Sequence, residues 1–212
     1  MLSIAIFPCS HTNGASIVGE LINSLHQSVY TDEMLFSDVS EQFGIPVEKV
    51  KKVICGQLPA THRHMLKKKK YINCLRCTLE AQTMYSHNSL LHYGLHTSLL
   101  DFKKERILKV LVFDDEENRV NRAMQQEGFT EKVARDHVQR HDQKVSDWTS
   151  FLFHRQAYDR SLYDLMISLK DKNLLDITSD IIVQFQDIKS SQSPFQAYAT
   201  LPVLENPLSM LW

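Results

Sequence analysis

A run of small and polar side chains, Pro8-Cys9-Ser10-His11-Thr12-Asn13-Gly14-Ala15-Ser16, separates two apolar segments at the start of this chain. Leu2 to Phe7 before it reads as a short buried strand, and Ile17-Val18-Gly19-Glu20-Leu21-Ile22 after it opens a helix. The backbone N–H groups of such a loop, with the positive end of the helix behind them, suit an anion and above all a phosphate. Laid on the phosphate-binding pattern G-x-x-x-x-G-K-S/T, Pro8 falls at the first glycine and Asn13 at the second. Gly14 falls at the lysine and Ala15 at the hydroxyl, so the cation and the magnesium-binding oxygen are both missing. His11, Thr12, Asn13, Gly14, Ala15 and Ser16 remain as the candidate phosphate cradle. The competing reading is an ordinary turn between strand and helix. His11 and Asn13 stand where glycines are usual, which predicts a harder approach of phosphate to the backbone.

Positive charge for phosphate chemistry stands farther along, at Arg119, Arg122, Arg135 and Arg140. Arginine forks match the charge that spreads over phosphoryl oxygens during transfer. The alternative for Arg140 is an i,i+4 pair with Asp136 on a solvated helix. Asp32 suits contact with an acceptor or a metal-bound water; its other role would be to cap the helix that starts near Met34. Cys74-x-x-Cys77 has no second pair, and His92-x3-His96 and His137-x3-His141 have no acidic third ligand fixed by spacing, so no metal site is expected. Lys67 to Lys70 reads as a solvated helix face before it reads as a polyanion site, and Trp148, Phe151 and Phe153 read as packing rather than base stacking.

The elements that must position these groups alternate between strand and helix. Asn13 or Thr12 is the expected cap of the first helix. Ser28 to Tyr30 is a second strand candidate, and a mostly helical stretch runs from about Met34 to Met84, broken at Gly44-Ile45-Pro46 and looped at Gln57-Leu58-Pro59. Ser89 to Gly94 reads as a third strand, although His87 to Leu100 also fits a helix. Arg106 to Phe113 is the best strand, closed by Asp114-Asp115. Glu116 to Glu127 is helical, Gly128 ends it, and Thr130 caps a helix that continues to about Phe153. Ser161 to Ser168 reads as the last strand and Leu174 to Phe185 as a closing helix. Strands that are apolar throughout predict a parallel sheet covered on both faces, an α/β fold.

Composition narrows the function. With 212 residues and 43% apolar content, the chain can bury one sizeable α/β core, and a net charge of −1 argues against a nucleic-acid binder. No apolar run approaches the ~20 residues that span a bilayer. No basic leader precedes the first strand, and the four cysteines (Cys9, Cys55, Cys74, Cys77) show no disulfide spacing, so the expectation is a cytoplasmic protein without a membrane segment. From Ser190 the tail is rich in Ser, Gln and Pro, then apolar to Trp212. Such a tail docks on its own domain or on a partner, a second copy of the chain or another protein.

Over about residues 2 to 186 the chain resembles the cytidylate-kinase-like family of P-loop proteins, relatives of the nucleoside monophosphate kinases. The family loop, roughly S-R-x-x-G-S-G-G-x-x-I/V, already has glycine where Gly14 stands. Tyr30-Thr31-Asp32-Glu33 resembles its Y-D-R/K-E turn with one extra residue, and His92-Tyr93-Gly94-Leu95 its G-R-G segment, with Leu95 at the arginine. Arg119-x-x-Arg122 and Ala134-Arg135 through Lys144 resemble its arginine-bearing helix pair, and Ser161-Leu162-Tyr163-Asp164-Leu165-Met166-Ile167-Ser168 its last strand. The resemblance implies a three-layer α/β/α P-loop kinase core over 1–189, with a helical acceptor-site insertion at about 32–85, a helical lid at about 115–160 and a tail at 190–212. It implies a nucleotide or another anionic small molecule as partner, and phosphoryl transfer from ATP with Mg²⁺. The lid arginines would then close on phosphate, with Asp32 and Gly94 at the acceptor. The lost loop residues imply impaired transfer. The other outcome is an inactive kinase scaffold, without ATP or Mg²⁺, kept as a binding or regulatory module.

Overall fold

Two mainly apolar strands are buried on both faces, β1 (Ser3–Phe7) and β4 (Ile107–Phe113), and the computed structural model pairs them at the centre of the sheet. The structure describes residues 2–54, 62–85, 89–100, 106–170 and 172–191. Five strands run parallel in the order β2-β3-β1-β4-β5, with β2 at Ser28–Thr31, β3 at Leu90–Tyr93 and β5 at Leu165–Ser168. Among the described residues seven helices surround them: α1 (Gly14–Leu25), α2 (Asp32–Phe43), α3 (Val47–Ile54), α4 (His62–Tyr85), α5 (Glu116–Glu127), α6 (Glu131–Phe153) and α7 (Leu174–Ser191).

Period-two alternation splits each central strand between two cores. Ala5 and Phe7, with Ile107 and Leu111, join Leu35, Leu75, Leu79 and Trp148 from the helices of one face. Ile4 and Ile6, with Leu108, Val110 and Val112, join Ile17 and Leu21 of α1 and Ile177 and Ile181 of α7 on the other. Both faces are covered, as parallel strands require. The hairpin of α5 and α6 has a small core of its own, Val120, Ala123, Ala134 and Val138. Gly128 ends α5 at φ 68°, as the sequence predicts.

Several expectations need correction. The last strand starts at Leu165, because Ser161 belongs to a 3₁₀ turn (Arg160–Leu162) and Tyr163 spends its hydroxyl on the Ala157 carbonyl at 2.6 Å. Pairing with β4 begins where the Asp164 carboxylate takes the N–H of Lys109 at 2.8 Å. The helical alternative for 87–100 gives way to β3 followed by a 3₁₀ turn, Leu95–Leu99. The closing helix runs past Phe185 to Ser191. The loop at Gln57 to Pro59 and the tail from 192 lie outside the described residues.

Candidate functional site

The loop after β1 places two non-glycine residues in the left-handed region. His11 (φ 53°) and Asn13 (φ 55°) are left-handed, Thr12 between them is not, and the right-handed helix begins at Gly14. Alternation of left- and right-handed residues turns successive N–H groups into one concavity. Histidine and asparagine are among the non-glycine residues that visit this region most readily. The two replacements therefore take the conformation expected of glycine.

Neither expected cap serves α1. Thr12 is buried and its hydroxyl donates to the Cys9 carbonyl at 2.7 Å. Asn13 makes no side-chain cap bond; its Oδ1 accepts from Gln126 Nε2 at 2.7 Å. The first-turn amides thus face the loop uncapped by either side chain. At Gly14, a Cβ would lie 2.4 Å from the Tyr93 hydroxyl, so the route a lysine would take from this position is filled.

The α5–α6 hairpin grips the same loop. Arg119 Nη1 donates to Ser10 Oγ at 3.2 Å and, with Nη2, forms a two-pronged pair with Asp142 at 2.8 and 2.6 Å. Arg122 Nε donates to the His11 carbonyl at 2.6 Å, and its Nη2 pairs with Asp114. His137 Nδ1 lies 3.1 Å from His11 Nε2. Burial opposes ionisation of Asp142, but Arg119, His141 and Tyr158 outweigh it and hold the carboxyl well below its usual range. Asp114 follows the same balance, with Asn118 and Arg122 outweighing burial. Burial pushes up the Cys9 thiol, which lies beneath Arg119 and Tyr158.

Arg135 and Arg140 stand elsewhere. Arg135 reaches Glu117 at 2.9 Å, Glu131 at 3.1 Å and Glu116 at 3.5 Å on the outer face of the hairpin. Arg140 is exposed and donates to the Asp136 carbonyl at 3.0 Å rather than to its carboxylate. The structure therefore brings Arg119 and Arg122 to the loop and leaves Arg135 and Arg140 outside it.

At the end of β2, Asp32 does not cap its own helix. Thr31 does, accepting from Met34 N at 3.4 Å. Asp32 instead caps the 3₁₀ turn after β3, accepting from Leu95 N (2.8 Å), His96 N (2.9 Å) and His96 Nδ1 (2.7 Å). Gly94, at φ 149°, is required there because a Cβ would lie 2.4 Å from Asp32 Cγ. Leu95 is packed in the core. His92 sits on β3 and His96 in the 3₁₀ turn, not on one helix face, yet His92 Nδ1 and His96 Nε2 are 3.3 Å apart. Burial first, then His96, push the His92 imidazole down to about 3.

Ser10, Tyr93, Asp114, Gln126 and Asp142 carry contacts at this site that the sequence reading did not assign. Asp114 had a signal, as the first charge after the best strand; the others had none in spacing. No three His, Cys, Asp or Glu side chains among the described residues converge as a metal cage requires. Cys74 and Cys77 are free thiols on α4. A separate cavity of about 290 Å³, lined by Phe7, Thr97, Thr149, Phe153 and Tyr163, uses none of residues 8–16.

A model of the cytidylate kinase-like family matches residues 10–171, more than half of the chain. The chain belongs to that family. An uncharacterized protein from Eubacterium ventriosum is similar in structure, with a TM-score of 0.68 at 16% identity, over 88% of this chain and 98% of that one. A gluconokinase from Sinorhizobium meliloti gives 0.51 at 11% identity, over 94% of this chain and 98% of that one. Identities this low speak for the fold, a P-loop kinase fold. No curated protein matches the chain in sequence. Among the described residues no helix is long and apolar enough to cross a membrane.

Proposed function

We propose that this member of the cytidylate kinase-like family binds a nucleoside triphosphate through residues 11–16 and transfers its terminal phosphoryl group only weakly to a nucleotide or similar acceptor. The observation that carries this reading is the alternating backbone at His11, Thr12, Asn13 and Gly14, ahead of a helix whose N-cap residue makes no side-chain cap bond. It supplies N–H donors and the helix dipole, which need no lysine. Arg119 and Arg122 are the cations nearest to this loop, and their service to a phosphoryl group requires exchange of a carboxylate for a phosphate. In such a complex Asp32 and Gly94 face the acceptor.

Mg²⁺ fits this chain poorly as a protein-held ion. Ala15 offers no hydroxyl, Asp114 is held by Arg122, and Asp32 is held by three N–H groups. No step here is assigned to a magnesium ion held by side chains. Loss of the lysine and hydroxyl removes electrostatic contacts that individually cost about 3 kcal/mol of transition-state stabilisation.

A non-catalytic binding module is the second reading. It is favoured by the Arg119–Asp142 pair and by Tyr93, which closes the lysine route at Gly14. Calorimetric titration with ATP, followed by label transfer from γ-labelled ATP to nucleoside monophosphates, separates the two. Binding with slow transfer supports the first. Binding without transfer supports the second, and no heat of binding at millimolar ATP removes the nucleotide reading altogether.

A further inference from the structure

Loop and lid meet through two histidines. His11 Nε2 and His137 Nδ1 are 3.1 Å apart, and the rings pack edge to face with centroids 5.3 Å apart. His137 is exposed and His11 half-buried, so solvent reaches both rings. One proton shared between two ring nitrogens makes this contact. A second proton breaks it and sets two like charges side by side. The arrangement is therefore held below full protonation for as long as nothing negative is near.

The other cations on this loop are already neutralised. Arg119 is paired with Asp142 and Arg122 with Asp114, while Gln126 on Asn13 is uncharged. The lysine position is Gly14, and Tyr93 fills the route out of it. Among the described side chains bonded to residues 10–13, the two imidazoles are the groups that can still gain a charge. His11 is also one of the two left-handed residues of the loop, and its ring lies against His137 of α6.

We propose that His11 and His137 act as a proton-dependent clamp for the terminal phosphate of a bound nucleotide, taking the place of the absent lysine. This rests on the nucleotide reading above. An anion in the cradle favours the doubly protonated pair; each ring then turns an N–H from its neighbour to the phosphate, and one proton is taken up from solvent for each ring that was neutral before the nucleotide bound. Binding in turn draws His137, and with it α6, against the loop.

The surroundings set the direction of the pH response. His11 faces His137 and His141 from α6, Arg119 and Glu127 from α5, and Arg122 at its own carbonyl. Burial lowers its pKa first and His137 next, with Glu127 opposing. His137 also packs on Phe129, centroids 5.7 Å apart, and His141 Nδ1 lies 3.8 Å from Asp142 Oδ1. Without a ligand the surroundings disfavour charge on His11. An anion reverses that, so affinity rises as pH falls.

The probe is ATP without Mg²⁺, titrated calorimetrically into the full chain at about pH 6 and about pH 8, on either side of the usual histidine range. Two buffers of different ionisation enthalpy at each pH count the protons taken up by the unaltered protein. His137→Gln and His137→Lys are compared after thermal melts show that they fold. The terminal phosphate of ATP itself loses charge toward pH 6, which works against the effect and is common to all variants. The expected result is binding at least about tenfold tighter at the lower pH, within the tenfold per pH unit that each linked proton allows. It is accompanied by net proton uptake; His137→Gln flattens the dependence, and His137→Lys binds at the higher pH as the unaltered protein does at the lower. Binding that is independent of pH, or a dependence that survives in His137→Gln, overturns the clamp while leaving the nucleotide reading in place. Absence of ATP binding at both pH values overturns the nucleotide reading and the clamp with it.

Discussion

Arg119 and Asp142, 23 residues apart on the two helices α5 and α6, form a two-pronged ion pair at 2.8 and 2.6 Å. The arginine side chain is only 5% exposed, and its Nη1 also touches Ser10 in the loop after β1. One pair thus joins the two helices of the hairpin and ties them to the loop. Arg119→Met leaves Asp142 without its partner, beside a buried thiol. The expected loss of stability is about 3 kcal/mol, the low end for breaking a buried pair, since Asp142 keeps some contact with water. Urea unfolding measures it. A loss below about 0.5 kcal/mol, the scale of a surface pair, would show that the pair is ornamental to the fold.

Gly14 and Tyr93 make a second prediction. Gly14→Ala puts a Cβ 2.4 Å from the Tyr93 hydroxyl, and the tyrosine packs against the α1 and α7 core. The ring has to shift, which costs about 1 kcal/mol or more for a small-to-large change in a packed place. Tyr93→Phe removes the nearest atom and lowers that cost. Thermal unfolding of the two single variants and the double variant gives the coupling, and additive effects would mean that the two side chains do not compete for this space.

How much of this was readable in the chain beforehand depends on the range of the interaction. β1 and β4 were legible because burial on both faces leaves a run that is apolar apart from Ser3 and Lys109. The α5–α6 hairpin was legible because Gly128 ends α5 locally; Thr130 stands at the N-cap of α6 but makes no side-chain cap bond there. The loop's position between β1 and α1 was legible too, while the left-handed backbone at His11 was not. The pattern asks for glycine, whereas the backbone asks only for positive φ, and His11 and Asn13 supply it. The last strand was read four residues too early because Ser161-Leu162-Tyr163-Asp164 has strand-like composition; the bond between Asp164 and Lys109, which fixes the start of pairing, spans 55 residues. The sequence singles out Arg119, which bonds to Ser10 of the loop, but its partner Asp142 lies beyond any i,i+4 rule.

Acid stability follows from His92. Its imidazole is pushed down to about 3 by burial and then by His96. The folded value lies below the unfolded value of about 6.5, so the unfolded chain binds the proton first. Stability is therefore complete above the unfolded value and falls as pH drops from about 6.5 toward 3, by up to about 1.4 kcal/mol per pH unit. His11 is lowered by burial and His137 and adds a smaller slope of the same sign. Asp114 and Asp142, lowered against opposing burial, add theirs only below the ordinary carboxylate range. Urea midpoints measured at intervals between pH 7 and pH 5 should fall, and His92→Leu should lessen the slope. An unchanged slope in that variant would assign the acid response to other groups.

Arg122 and Arg135 test which lid arginines matter to the loop. Arg122 donates to the His11 carbonyl at 2.6 Å and pairs with Asp114, whose side chain is nearly inaccessible. Removing it leaves a buried carboxylate at the end of β4 and frees the carbonyl of the first left-handed residue. Arg122→Ala should therefore cost about 2 kcal/mol or more in urea unfolding, through the charge left unpaired. It should also weaken ATP binding more than any other single lid arginine, because the cradle loses the contact that fixes its backbone. Arg135 pairs with Glu116, Glu117 and Glu131 in open solvent, where salt screens the charges and long side chains give up entropy to meet. Arg135→Ala should change neither the unfolding midpoint nor the ATP affinity measurably at physiological salt. Should Arg135→Ala abolish ATP binding while Arg122→Ala leaves it intact, the lid must turn its outer face to the nucleotide, and the pairing of Arg122 with Asp114 would belong to the fold alone.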